Sequence, residues 1–173
     1  MIIIEIILKF LKRLKESNIV EIILGLQLSV LCVVVLLQVI FRYILNFPLA
    51  WSDEAARFLL IWIAILGGAI AIKRKENFVI DVVVKKYPEK VQKNIQFVIN
   101  VFLFSLIFDV MIAKGVYLIN LGSLQISPAL HMRMSYIYSS VFAGGVLSCC
   151  YILEDILLFI KNNIKKCRKY GRK

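Results

Sequence analysis

Two acidic and two basic side chains lie close together between two long apolar runs. They are Arg42, Asp53, Glu54 and Arg57, within the stretch FRYILNFPLAWSDEAARF over residues 41–58. Charges of both signs beside apolar runs could line an ion or substrate pathway, or they could neutralise one another and join two helices. Because the charges balance and lie near the ends of the runs, we favour the structural role.

The spacing of these residues predicts which charges pair. Arg57 follows Asp53 by four positions and Glu54 by three, so all three share one helix face. Arg57 would be neutralised on its own helix, and Arg42 would pair across the turn with Asp53 or Glu54. Ser52 is predicted to cap the second helix, with Asp53 and Glu54 in its first turn. Trp51 is predicted to anchor the membrane interface.

Asp109 is the acid that lies deepest in an apolar run. On insertion scales an Asp at a helix centre costs about 2.5–3.5 kcal/mol, so such a residue is a functional candidate. We place it in the outer half of its run, five positions before Lys114, which is poor spacing for a pair. A partner subunit or a water-filled crevice would satisfy it, and an ion-coupling role is the less favoured interpretation. His131, the one histidine, falls in a predicted loop, where we expect no metal or proton-relay role.

Composition places these residues in a membrane protein. The chain has 173 residues, 61% of them hydrophobic, whereas soluble domains average about 45–50%. A chain this short cannot cover so much apolar surface with one core, so its solvent is expected to be lipid. The net charge of +11 does not indicate a nucleic-acid partner, because the basic residues cluster between apolar runs. The four cysteines form no CxxC or Cys/His cluster, and no metal or cofactor is expected.

The elements predicted around these residues make an all-α integral membrane protein with four transmembrane helices. The spans cover about residues 20–45, 52–72, 95–121 and 135–160, within a domain over 19–160. An amphipathic interfacial helix over 1–18, with i,i+4 pairs Glu5–Lys9 and Lys12–Glu16, is predicted to lie in the headgroup plane. The alternative is an extension of the first span. A basic tail over 161–173 closes the chain.

Lys and Arg are frequent before the first span, between the second and third, and in the tail, and sparse elsewhere. This distribution predicts that both termini are cytoplasmic and that the turn at residues 44–51 faces outward. Small residues at helical spacing predict close helix packing. On the second span they are Ala64, Gly68 and Ala71, and on the fourth Ser140, Gly144, Gly145 and Ser148.

No catalytic motif such as GxSxG, HExxH or a P-loop occurs in the sequence, so we do not expect an enzyme. A transporter acting alone would show broken helices and repeated halves around a midplane site. Four spans without repeats are typical of a membrane subunit that needs a partner.

Two segments carry a family resemblance. They are VIFRYILNFPLAWSDEAARFLLIWIAILGGAIAIKRKENFVIDVVV and ISPALHMRMSYIYSSVFAGGVL. They resemble the DctQ-like small permease subunit of TRAP (tripartite ATP-independent periplasmic) transporters in four features: F-R-Y, W-S-D-E followed by an Arg, V-I-D, and S-P-A-L. The sequence departs from the family at His131-Met132-Arg133, where Gly-Ile-Pro is frequent, and at Asn77, where His is frequent.

The resemblance implies a scaffold subunit of a sodium-coupled importer in the bacterial inner membrane. In that family a large M-type permease subunit binds solute and Na⁺ and moves, and a periplasmic binding protein delivers the solute, a carboxylate of the sialic acid or C4-dicarboxylate class. The small subunit is expected to anchor the large one in the lipid. Two alternatives stay open, a four-helix membrane oxidoreductase, which needs paired outward cysteines, and a self-assembling channel.

Overall fold

The computed structural model describes residues 8–9, 11–13, 15–47, 49–74 and 89–170, with the backbone alone at 89–90, 93–94 and 162–170. The described elements are helical: α1 (Ile19–Tyr43), α2 (Ala50–Arg74), α3 (Glu89–Ile107), a π-helical segment (Phe108–Ala113), α4 (Lys114–Ser123) and α5 (Ser135–Tyr170). Within the described part, four helical stretches are long and apolar enough to cross a membrane: 19–43, 50–74, 95–123 and 135–161. The protein is therefore an all-α integral membrane protein with four transmembrane helices, as predicted.

The start of α2 differs from the prediction. The helix begins at Ala50, so Ser52 lies inside its first turn and the predicted N-cap role is wrong. The Ser52 hydroxyl donates to the Leu49 carbonyl at 2.7 Å, and the Ser52 N–H donates to the same oxygen at 3.1 Å. A serine inside a helix can donate its hydroxyl to a nearby backbone carbonyl, and here the Leu49 carbonyl lies within reach.

The third span combines α3, the π-helical segment and α4. It covers Ile95–Ser123, so Asp109 is equally far from both of its ends. The helix continues past Leu121 to Ser123, and the location of Asp109 in the outer half of the span stays a prediction. Asp109 lies at the start of the π-helical segment, and its carbonyl accepts the backbone N–H of Lys114. Such single-turn segments are frequent at functional sites.

The four spans do not pack in chain order. α1 packs on α2, α2 packs on α5, and α5 packs on the third span. No residue of α1 is buried, whereas α5 carries a buried core with Cys149 and Ile152 against Ile107. The fourth span is therefore the centre of the bundle, and the first is its edge.

Glycines allow the closest approaches to α5. A Cβ on Gly144 would collide with the Ile65 side chain of α2, and a Cβ on Gly145 would lie 2.7 Å from Met111 Cβ. Gly68, in contrast, is exposed, and a Cβ there would meet nothing within 4 Å. Ala71 is half-buried. Within this chain the close packing expected at Gly68 does not occur, because its side of α2 faces away from the other described helices.

Ion pairs join the elements at one end of the bundle, called here the terminal end (residues 8–21, 72–74 and 154–155). Glu21 of α1 lies 2.9 Å from Lys73 Nζ and 2.8 Å from Arg74 Nη2 of α2. Lys15 Nζ lies 3.0 Å from Asp155 Oδ1 and 3.6 Å from Glu154 Oε2. The helices are thereby joined at this end by charges from three separate parts of the chain.

The N-terminal segment is helical at residues 8–9, 11–13 and 15–16. The predicted pair Lys12–Glu16 is present at 3.5 Å, with both side chains exposed. Leu8 and Leu11 are buried by the protein itself, so at these residues the apolar face is covered by the chain rather than by lipid. The predicted pair Glu5–Lys9, Asn77 and the V-I-D stretch lie outside the described residues.

Candidate functional site at the loop end of the bundle

The end of the bundle opposite the terminal end, called here the loop end, consists of residues 43–54 and 122–135. Its centre is the Glu54 carboxylate. It accepts hydrogen bonds from the Ser127 hydroxyl, from the Ala129 N–H at 3.2 Å to each oxygen, and from the Leu130 N–H at 3.0 Å. Glu54, Ser127, Ala129 and Leu130 are called the Glu54 latch below. The latch joins the second span to the loop between the third and fourth spans.

The loop is shaped so that its donors face Glu54. The Ser127 N–H donates to the Met132 carbonyl at 2.9 Å, and the His131 N–H donates back to the Ser127 carbonyl at 3.1 Å. His131 closes this turn with φ of 53°, a left-handed conformation that His tolerates better than most residues. Successive backbone N–H groups in such a turn make a concave anion site. The Glu54 carboxylate occupies that site from within the same chain.

The predicted pairing of Arg42 is wrong. Among the described residues, neither Arg42 nor Arg57 forms an ion pair with Asp53 or Glu54. Glu54 is occupied by the loop donors, and Asp53 accepts a hydrogen bond from the Gln38 side-chain amide. The first and second spans are therefore joined where we expected, but by Gln38.

Arg42 lies over the Tyr43 ring, with 5.8 Å between its Cζ and the ring centroid, a cation–π distance. It borders an open cleft of about 520 Å³. A second cleft of about 330 Å³ lies between α2 and α5, beside Arg57 and the latch. Trp51 is partly exposed at 43%, which suits an interfacial anchor. The first cleft is lined by Gln38, Arg42, Asn46, Leu49, Ala50 and Asp53.

Asp109 lies far from the loop end and differs from Glu54 in its surroundings. It is exposed at the middle of the third span, and within the described part of the chain its carboxylate has no hydrogen bond or ion pair. The structure does not bring it together with the other predicted site residues. An acid at this depth costs about 2.5–3.5 kcal/mol on insertion unless a partner satisfies it.

Nothing in the described residues assembles a reaction centre. No group of three His, Cys, Asp or Glu side chains in the described part of the chain could hold a metal ion. Cys32, Cys149 and Cys150 are free thiols, the first exposed and the second buried. What the loop end does chemically is to hold a carboxylate among fixed donors. The fold and this site define a multi-pass membrane protein whose polar groups join its helices.

Comparison with known proteins gives the family. Residues 31–162 match the family described as the DctQ component of tripartite ATP-independent periplasmic transporters. The match covers most of the chain, and the protein belongs to this family: it is the small permease subunit of a TRAP transporter. The family partners with a large permease subunit.

Three relatives show how widely the similarity extends. A TRAP transporter small permease protein of Haemophilus influenzae is 26% identical over 144 residues, which cover 80% of this chain and 88% of the relative. The sialic acid TRAP transporter small permease protein SiaQ of Vibrio cholerae is 40% identical over 83 residues, 48% of this chain and 47% of SiaQ. The isethionate TRAP transporter permease protein DctMQ of Oleidesulfovibrio alaskensis is 26% identical over 131 residues, 71% of this chain and 20% of DctMQ.

The sequence analysis did not predict the Glu54 latch, although the sequence contains a signal for it. The sequence shows W-S-D-E and S-P-A-L as two separate features of the family resemblance. The structure joins them directly, because Glu54 from the first accepts the donors of Ser127, Ala129 and Leu130 from the second. Both motifs lie beside loops and neither forms a catalytic pattern. These two properties are consistent with a contact between the motifs.

Proposed function

We propose that this subunit is the fixed scaffold of a sodium-coupled TRAP importer and that it anchors the large permease subunit in the bilayer. One observation carries the proposal: at both ends of the bundle, charged groups are engaged between separate elements of this same chain. The Glu54 latch holds the loop end, and Glu21 and Lys15 with their partners hold the terminal end. A bundle joined at both ends resists internal rearrangement, which suits a part that stays still while another moves.

We infer that the solute is recognised by another subunit of the transporter. Relatives of this protein are named for sialic acid and for isethionate, which are chemically different organic anions. Similarity of this chain to a small subunit named for sialic acid and to one part of a permease named for isethionate supports a role outside the solute site. We assign this transporter a carboxylate solute of the sialic acid or C4-dicarboxylate class, delivered by a periplasmic binding protein.

The subunit is assigned to the bacterial inner membrane with both termini in the cytoplasm. Lys and Arg at the terminal end support this orientation, because cytoplasmic ends of membrane helices carry them in excess. The loop end, with the Glu54 latch and the two clefts, would then face the periplasm. There it is placed to contact the binding protein.

Reconstitution tests the scaffold role. Liposomes would contain this subunit alone, the large subunit alone, or both, with an inward sodium gradient, the binding protein of the same transporter, and labelled sialic acid or C4-dicarboxylate. We expect uptake to need sodium and the large subunit, to be strongest with both subunits, and to be absent with this subunit alone. Sodium-driven uptake by this subunit alone would refute the proposal.

A variant separates scaffolding from ion coupling. Glu54→Ala should lower the yield of the two-subunit complex while the sodium dependence of the remaining complex stays unchanged. If the complex instead stayed intact and lost its sodium dependence, Glu54 would belong to the transport pathway and the scaffold role would be wrong.

A further inference from the structure

One face of the third span is exposed along its length and carries an acid at its centre. Val98, Phe102, Leu106, Asp109 and Tyr117 recur at helical spacing on this face, and all five are exposed. They are called the Asp109 stripe below. The apolar members alone would suit contact with lipid, but an acid in the hydrocarbon core does not.

The other described residues of the chain do not satisfy this acid. Lys114 is the nearest base along the helix, yet it forms no ion pair with Asp109 in the structure. The contrast with Glu54 is direct, because every loop donor near Glu54 belongs to this chain. On a surface that faces lipid at the middle of the membrane, water supplies no donor either. A donor on a neighbouring protein would satisfy the acid.

The π-helical segment lies at the same place. It begins at Phe108, and Asp109 is its second residue. A π-helical turn interrupts the regular hydrogen bonding of an α-helix, and such turns are frequent at functional sites. The irregular turn and the unsatisfied acid are two independent features of one position.

We propose that the Asp109 stripe is the surface on which the large permease subunit docks, with a basic or other hydrogen-bond-donating side chain of that subunit opposite Asp109 near the bilayer midplane. The choice of partner rests on the proposed function. The acid at mid-span favours this face over the exposed face of α2, where Leu60, Ile61 and Gly68 carry no charge and the exposed base, Arg57, lies nearer the loop end.

Photocrosslinking locates the interface. A photoreactive amino acid would replace Phe102 or Tyr117 of the stripe, which are 66% and 67% exposed, or Leu60 of α2 as the matched control, which is 57% exposed. The subunit would be coexpressed with the large subunit of its own transporter and irradiated in membranes. We expect adducts with the large subunit from positions 102 and 117 at about fivefold or more the yield from position 60. Equal or lower yields from the stripe would overturn the proposal.

Substitution then tests the acid itself. Asp109→Leu should lower co-purification of the large subunit about tenfold or more, and Asp109→Asn should lower it less, because an amide still accepts a hydrogen bond. Lys114→Leu, a matched change on the same helix, should leave co-purification unchanged. A wild-type yield with Asp109→Leu would overturn the proposal, as would an equal loss with Lys114→Leu, since Asp109 would then act within its own chain.

These results distinguish two kinds of failure. If the wild-type subunit brings down no large subunit, the proposed function itself fails. If the wild-type complex forms but positions 102 and 117 give no more adduct than position 60, only the placement of the interface fails. Size-exclusion chromatography of each variant alone shows whether it folds, and the crosslinking arm does not depend on changing Asp109.

Discussion

Glu54 and Asp109 are carboxylates on two spans of one small bundle, and they differ in whether the described part of the chain supplies hydrogen-bond donors to them. Glu54 lies at the loop end and accepts hydrogen bonds from a hydroxyl and two backbone N–H groups in a loop of its own chain. Asp109 lies at the middle of the third span, exposed and without a described partner. The contact that satisfies Glu54 belongs to the fold of this subunit, whereas the contact that we propose for Asp109 belongs to its assembly.

The difference follows from where each acid lies. A loop at a membrane boundary can arrange its free N–H groups around an anion, because it has no helical hydrogen bonds to break. In the middle of a span the backbone donors are occupied by the helix, so only side chains of another helix can serve. The same residue chemistry therefore stabilises a monomer in one place and requires a partner in the other.

The largest effect on the isolated subunit is expected from Glu54→Ala. The change leaves the Ala129 and Leu130 N–H groups without their acceptor, and the loop loses its connection to α2. In detergent, the melting temperature of the isolated subunit should fall by several degrees, and Glu54→Gln should fall between the alanine variant and wild type. Asp53→Ala is the matched control, because Asp53 accepts one side-chain hydrogen bond and should shift the melting temperature less. Equal shifts for the two alanine variants would show that the latch adds no more stability than the single hydrogen bond between Gln38 and Asp53.

A smaller effect is expected from Gly144→Val. The added side chain meets Ile65 of α2 at the closest helix approach, and overpacking of this kind costs about 1–3 kcal/mol. Gly68→Val is the matched control, because both changes carry the same helix propensity and Gly68 faces open space. Chemical or thermal unfolding of the isolated subunit measures the difference. If Gly68→Val destabilises it as much, helix propensity rather than packing explains both.

The smallest effect on the isolated subunit is expected from Asp109→Leu. Because Asp109 makes no described contact in its own chain, its removal should change the free energy of unfolding by no more than about 0.5 kcal/mol, as for other surface substitutions. The same unfolding measurement as for Glu54→Ala provides the test. A destabilisation as large as that of Glu54→Ala would show that Asp109 serves the fold of the subunit, and the contrast between the two acids would disappear.

The parts of the fold that depend on composition were predictable from the sequence. Four apolar runs of spanning length predict four helices, because lipid demands internally bonded segments of about that length. The Lys12–Glu16 pair followed from i,i+4 spacing, which is local geometry. The packing order, with α5 at the centre, was not predictable, because hydropathy does not say which apolar faces meet.

Of the Glu54 latch, the sequence predicted Glu54 as a site residue but neither its loop partners nor their contacts. Glu54 and Asp53 stood out as charges beside apolar runs, and simple spacing paired them with arginines. The actual partner of Glu54 lies in a loop beyond the third span, and no local rule connects positions so far apart. The π-helical segment also left no periodic signal, because one irregular turn hardly changes the pattern of an apolar helix.

The contact of Lys15 with Asp155 has a consequence for how the subunit is made. The two residues are 140 positions apart in the chain, so the fourth span is synthesised long after Lys15 has left the ribosome. At about 5–20 residues per second the delay is on the order of ten seconds. During that interval Lys15 lacks its acidic partners, and the early segment is open to chaperones, lipid or proteases. The N-terminal segment can therefore form its contact with Asp155 only after the last span has been synthesised.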